Sequence, residues 1–131
     1  MRNTTRAAIS GDPAVASDGA VVTKAAVRAA GRLGISNRTL SRILGLSEAS
    51  ISRMGSGSYT LAPRDKSFEL AVLFVRLFRS LDAIVAGDEH AARRWVESDN
   101  ASLGGAPVRL MQSIPGLVNV VDYLDARRAI V

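Results

Sequence analysis

Between Arg64 and Ala86 the sequence sets Leu70, Leu73, Phe74, Leu77, Leu81 and Ile84 at helical spacing, and in its second half only Arg76, Arg79 and Asp82 are strongly polar. A surface helix buries one stripe of side chains; an apolar perimeter this wide has to be covered on more than one side. The segment therefore reads as a long central helix, a strut that needs packing partners both before and after it in the chain. Gly87 is placed to end it.

The partners on the N-terminal side are three short helices. Ala26, Ala29, Ala30 and Leu33 recur at i, i+3, i+4 and i+7 behind Thr23, which is placed to cap, and Gly34 closes this first helix. Ser36 can cap a second helix carrying Leu40, Ile43 and Leu44 and stopped by Gly45. Ser47 can cap a third carrying Ile51 and Met54 and stopped among Gly55, Ser56 and Gly57. Residues 1–21 show no sustained period and read as a flexible tail.

Beyond the strut, Asp88 can cap a helix containing Ala91, Ala92, Trp95 and Val96. Gly104 and Gly105 then make a turn, Pro107 starts a short helix with Leu110 and Met111, and Pro115–Gly116 precede a last helix with Leu117, Val120, Val121 and Leu124. No segment alternates apolar with polar residues as a strand requires. With 131 residues, 47% of them hydrophobic, one compact all-α chain is expected. Its divisions are a tail (1–21), a helix-turn-helix bundle (22–63), the connecting helix (64–87) and a small helical domain (88–131).

Residues 37–56 carry the most specific spacing. A helix-turn-helix needs a small residue in its first helix, a glycine at the turn and apolar residues that dock the second helix onto the first. Ser41, Gly45, Ile51 and Met54 stand in that register, with Leu40, Leu44 and Leu46 completing the inner face. At ~100° per residue, turning Ile51 and Met54 inward turns Ala49, Ser52, Arg53 and Ser56 outward, with Ser47 and Glu48 in the exposed first turn. These are the positions that face a major groove: Arg53 for a guanine, Glu48 for a cytosine amine, Ser47 and Ser52 for bases or phosphates, and Arg38 and Arg42 on the preceding helix for phosphates. Charge points the same way. The net +5 lies entirely in residues 1–60, which hold eight basic and three acidic side chains against nine of each in residues 61–131. The reading helix itself carries one cation, so a dimer covering two half-sites of operator DNA is expected.

The C-terminal half is charge-balanced and apolar, which suits protein contact. Its ordered motifs, Leu77-Phe78-Arg79-Ser80-Leu81, Arg94-Trp95, Asn100 with Leu103-Gly104-Gly105-Ala106-Pro107 and Leu110, Gly116-Leu117-Val118 with Val120, and Tyr123-Leu124-Asp125-Ala126-Arg127, resemble the toxin-binding domain of the Xre/MbcA/ParS antitoxins. The resemblance spans about residues 22–131. It implies an antitoxin that binds and blocks the active site of a RES-domain toxin, an NAD-consuming or ADP-ribosylating enzyme, and that represses its own operon. The toxin contact would then draw on Trp95, Asn100, Leu103, Gly104, Gly105, Pro107, Leu110, Leu117, Val120, Tyr123, Leu124, Asp125, Arg127, Arg128 and Val131. Two of these assignments have plain structural alternatives. Trp95, on the apolar face of a short helix, reads more simply as core. Arg127 and Arg128 either enter the toxin's cofactor cleft or cap the last helix, with Arg128 pairing to Asp125.

Catalysis by the chain itself is not expected. It has no cysteine and one histidine, which removes thiol nucleophiles and Cys/His metal clusters. The candidate acid groups Asp88, Glu89, His90, Asp122 and Asp125 read as caps, surface charges or ion-pair partners. No cofactor or metal is expected, and the longest apolar run, Leu70–Val75, is far short of the about 20 residues that span a bilayer, so the protein reads as cytoplasmic. The rival reading is a stand-alone helix-turn-helix repressor whose C-terminal half only dimerises.

Overall fold

The computed structural model describes residues 13–130, with side chains for residues 18–129. Among the described residues seven helices follow one another: α1 (Pro13–Leu33), α2 (Asn37–Leu44), α3 (Glu48–Ser56), α4 (Lys66–Ile84), α5 (Glu89–Glu97), α6 (Pro107–Leu110) and α7 (Ile114–Ile130). The fold is all-α, and among the described residues the one extended pairing is an isolated bridge between Asn100 and Gly105.

Local chemistry sets most of the boundaries. Ser36, Ser47 and Asp88 each accept a hydrogen bond from the backbone N–H three residues on, at Thr39, Ser50 and Ala91. Gly45 and Gly57 end α2 and α3 in the left-handed conformation, which costs glycine nothing. Two expectations need correction. Helix α1 begins at Pro13, so the segment expected as a tail through residue 21 is helical from residue 13 onward; residues 1–12 lie outside the described part. Thr23, expected as a cap, is a buried mid-helix residue instead. Its hydroxyl donates to the Gly19 carbonyl at 2.7 Å and accepts from the Leu61 N–H at 2.9 Å, tying α1 to the loop before α4. Gly19 makes that approach possible, because a Cβ there would overlap the Leu61 carbonyl. Thr23→Val would leave the Leu61 N–H buried without a partner. The expected loss is about 1–3 kcal/mol, read as a lower urea midpoint at an unchanged slope.

Helix α4 is the strut. It packs on α1 and α2 and also on α7, and Leu70, Ala71, Phe74, Leu77 and Leu81 are all buried. The core is continuous, running from Leu33, Leu40 and Leu44 through Phe74 to Leu117, Val120 and Leu124. The last helix starts earlier than expected, at Ile114, and takes Pro115 and Gly116 into its first turn. Only glycine fits at Gly116, since a Cβ would collide with the Leu110 carbonyl of α6.

A polar clamp joins the two halves outside the core. From α5, Arg93 donates through Nε to the Arg32 carbonyl (3.1 Å) and through its guanidinium to the Gly31 carbonyl (2.9 Å), which also accepts from the Gly34 N–H at the end of α1 (3.3 Å). Arg32 lies between Asp82 and Glu89, at 3.9 and 3.8 Å, with its guanidinium over the Phe78 ring.

Candidate interfaces for nucleic acid and a protein partner

Helix α3 docks onto α2 through Ile51 and Met54, which are buried with Leu40, Ile43 and Leu44. Ser41 is buried as the close approach requires, and its hydroxyl is satisfied by the Arg38 carbonyl at 2.7 Å. The opposite face of α3 presents Glu48, Ala49, Ser52, Arg53 and Ser56, all exposed, with Arg38 and Arg42 exposed on α2. These side chains differ in how free they are. Ser47 is exposed, but its hydroxyl is held by the cap to the Ser50 N–H and lies 3.0 Å from Ser50 Oγ. Ser56 turns its hydroxyl to the Arg53 carbonyl and toward Ser58. Arg53 has one long contact, 3.4 Å to Ser50 Oγ, which leaves most of its guanidinium fork open. Among the outward residues of α3, Arg53 and Ser52 have hydrogen-bond donors left to offer.

The second surface is made by α5, α6 and α7. Trp95 is half-buried rather than in the core, and its ring stacks on Tyr123 with centroids 6.2 Å apart and planes at 23°. The Arg127 guanidinium sits over the other ring of the pair, 5.1 Å from the Tyr123 centroid. Indole, phenol and guanidinium thus form a ladder held by α5 and α7, its two rings half-buried and its arginine exposed. Leu103 and Leu110 are half-buried. Asn100 is a loop organiser: its backbone carbonyl accepts from Gly104 and Gly105, its N–H donates to the Gly105 carbonyl, and its Oδ1 accepts from the Leu103 N–H. Gly104 takes the left-handed turn that this wrapping demands.

Several expected contact residues turn inward. Pro107, Leu117, Val120 and Leu124 are buried, so they support the surface and do not form it. Asp125 reaches across to α4, where it pairs with Arg76 and accepts from Ser80 at 2.8 Å. Arg128 extends to Ser80 Oγ at 3.5 Å, so the helix-internal pair expected between Asp125 and Arg128 gives way to a bridge between helices. Val131 lies outside the described residues. In their place stand Ile114 and Val118, 52% and 37% exposed and one turn apart on α7. Their signal was in the sequence: α7 has apolar residues around its whole circumference, and the core uses only the side with Leu117, Val120, Val121 and Leu124.

Asp88 is committed to its cap, and Glu89, His90 and Asp122 are exposed. Among the described residues no group of three His, Asp or Glu is placed to hold a metal ion, and no helix is long and apolar enough to cross a membrane.

Two family models match the chain in succession. Residues 12–76 match the antitoxin Xre-like helix-turn-helix domain, and residues 80–129 match the antitoxin Xre/MbcA/ParS C-terminal toxin-binding domain. No curated protein matches the chain.

Proposed function

From a chain that belongs to the Xre/MbcA/ParS antitoxins, with a helix-turn-helix domain followed by the toxin-binding domain of that family, we propose an antitoxin whose partner is a RES-domain toxin that consumes NAD or ADP-ribosylates a protein. The observation that carries the toxin contact is the Trp95–Tyr123–Arg127 ladder with Ile114 and Val118 exposed on the same helix as Tyr123. Half-buried aromatics with a stacked arginine have the composition of interface hot spots. Arg127 and Arg128 enter the toxin's cofactor cleft, where guanidinium forks suit the pyrophosphate of NAD. The other surface, with Arg53 and Ser52 on α3 and Arg38 and Arg42 on α2, reads and holds operator DNA as a homodimer, so the protein represses its own operon in the cytoplasm. The DNA-binding region comprises residues 22–63, α4 connects, and residues 88–131 meet the toxin. The chain acts by binding, with no chemistry of its own.

The test is co-expression with the adjacent reading frame, then size-exclusion chromatography and an NAD-consumption assay on the complex and on the separated partner. A silent complex and an active free partner are expected. Deleting residues 127–131 is expected to weaken the complex, since Arg127 belongs to the ladder, and to return NAD consumption to the complex that still forms. If the truncated protein inhibits as well as the full chain, the cleft assignment is wrong. If no complex forms while this chain alone binds its promoter tightly, the protein is a stand-alone repressor.

A further inference from the structure

Lys24 and Arg28 on α1 and Arg79 on α4 stand outside the helix-turn-helix register and outside the toxin-contact residues named above, yet the fold lines them up. Lys24 and Arg28 border one groove with Met54, Gly55, Ser56 and Gly57, the C-terminal end of α3. The same two side chains border the next groove with Arg79, and Arg79 leads on to Arg76 and Arg128. Arg76 is spent on Asp125 and Arg128 leans on Ser80. Lys24, Arg28 and Arg79 are exposed, and among the described residues none of them meets a carboxylate.

We propose that Lys24, Arg28 and Arg79 form a second DNA-contacting track that continues from the end of α3 onto α4 and holds the phosphate backbone beside the major-groove contact. Two observations choose DNA as the occupant: three cations without internal partners, and their direct continuity with Ser56 at the end of the reading helix. The track answers a shortfall on α3 itself, which carries one cation, Arg53, against one acid, Glu48. It rests on the operator-binding reading of α3 and extends it: base discrimination belongs to α3, and a large share of the electrostatic affinity belongs to α1 and α4. Because α4 packs on α7, the track brings the DNA contact onto the helix that also supports the toxin-binding half.

The test compares the full-length protein with the K24Q/R28Q/R79Q variant, binding a duplex of its own promoter and a scrambled duplex of equal length across a salt series. Each phosphate contact removed makes the slope of log K against log salt shallower by about 0.9, so a change of about 2.7 is expected for the triple variant. The change is expected on both duplexes, because phosphates carry no sequence information. Arg109→Gln, on α6, is the control and should keep the parental slope. An unchanged slope in the triple variant, at parental helicity by circular dichroism, overturns the track. So does a triple variant that keeps its slope and loses the toxin complex, which would make the groove a protein contact. A parent that binds neither duplex sinks the operator reading of α3 instead, a failure separable from that of the track.

Discussion

Phe74→Ala is expected to cost about 3–5 kcal/mol, the usual range for emptying a fully buried aromatic site, and Phe74 is fully enclosed at the middle of α4. Domains of this size have only about 5–15 kcal/mol in total, so the variant is expected at the edge of folding at physiological temperature. The informative part is the shape of the transition. Helix α4 packs on α1 and α2 as well as on α7, and the buried cluster runs unbroken through Phe74. Urea unfolding followed by Trp95 fluorescence, which reports α5, and by circular dichroism, which reports all helices, is therefore expected to give coincident curves, shifted together by the substitution. Two separated transitions would mean that the halves fold independently and that α4 is only a linker.

The second large effect is on association. Trp95→Ala removes the indole from the face of Tyr123 and frees the phenol that Arg127 covers. Central aromatic residues of this kind cost 2 kcal/mol or more when truncated, which is about a thirtyfold loss in affinity for the toxin. Calorimetric titration of the variant against the purified toxin measures it. Trp95→Phe keeps an aromatic face against Tyr123 and is expected to recover most of the affinity. Because Trp95 is only half-buried, thermal stability should fall much less than affinity. A variant that melts early but binds as before would return Trp95 to the core.

What the sequence made legible was short in range. The caps at Ser36, Ser47 and Asp88 and the glycine stops at Gly45 and Gly57 act within one turn of the chain, and the structure has them where the spacing puts them. The inward set Ser41, Ile51 and Met54 followed from the helix-turn-helix spacing, and the outward set Ala49, Ser52, Arg53 and Ser56 from helical geometry once that set was turned inward. What escaped was long in range. Thr23 looks like a cap until the Leu61 N–H, 38 residues away, is found on its hydroxyl. Asp125 has an arginine three residues on, yet the fold offers it Arg76 and Ser80 from α4. The toxin-surface residues show a different failure. A family resemblance marks every position that the domain needs, without separating contact from support. Leu117, Val120 and Leu124 proved to be core, whereas Val118, quoted only as part of a motif, and Ile114, not singled out at all, are exposed on the same helix.

The contact from Arg93 to the last carbonyls of α1 bears on how such proteins diversify. Exchanging one toxin-binding half for another by recombination would look like a simple way to pair an existing repressor with a new toxin. Here the incoming half would have to bring a long cationic side chain at one place on its first helix, or leave the Gly31 and Arg32 carbonyls without that partner. Both contacts lie at the surface, so a chimaera without an arginine at position 93 is expected to fold with a modestly lowered melting temperature, and restoring that arginine is expected to recover it.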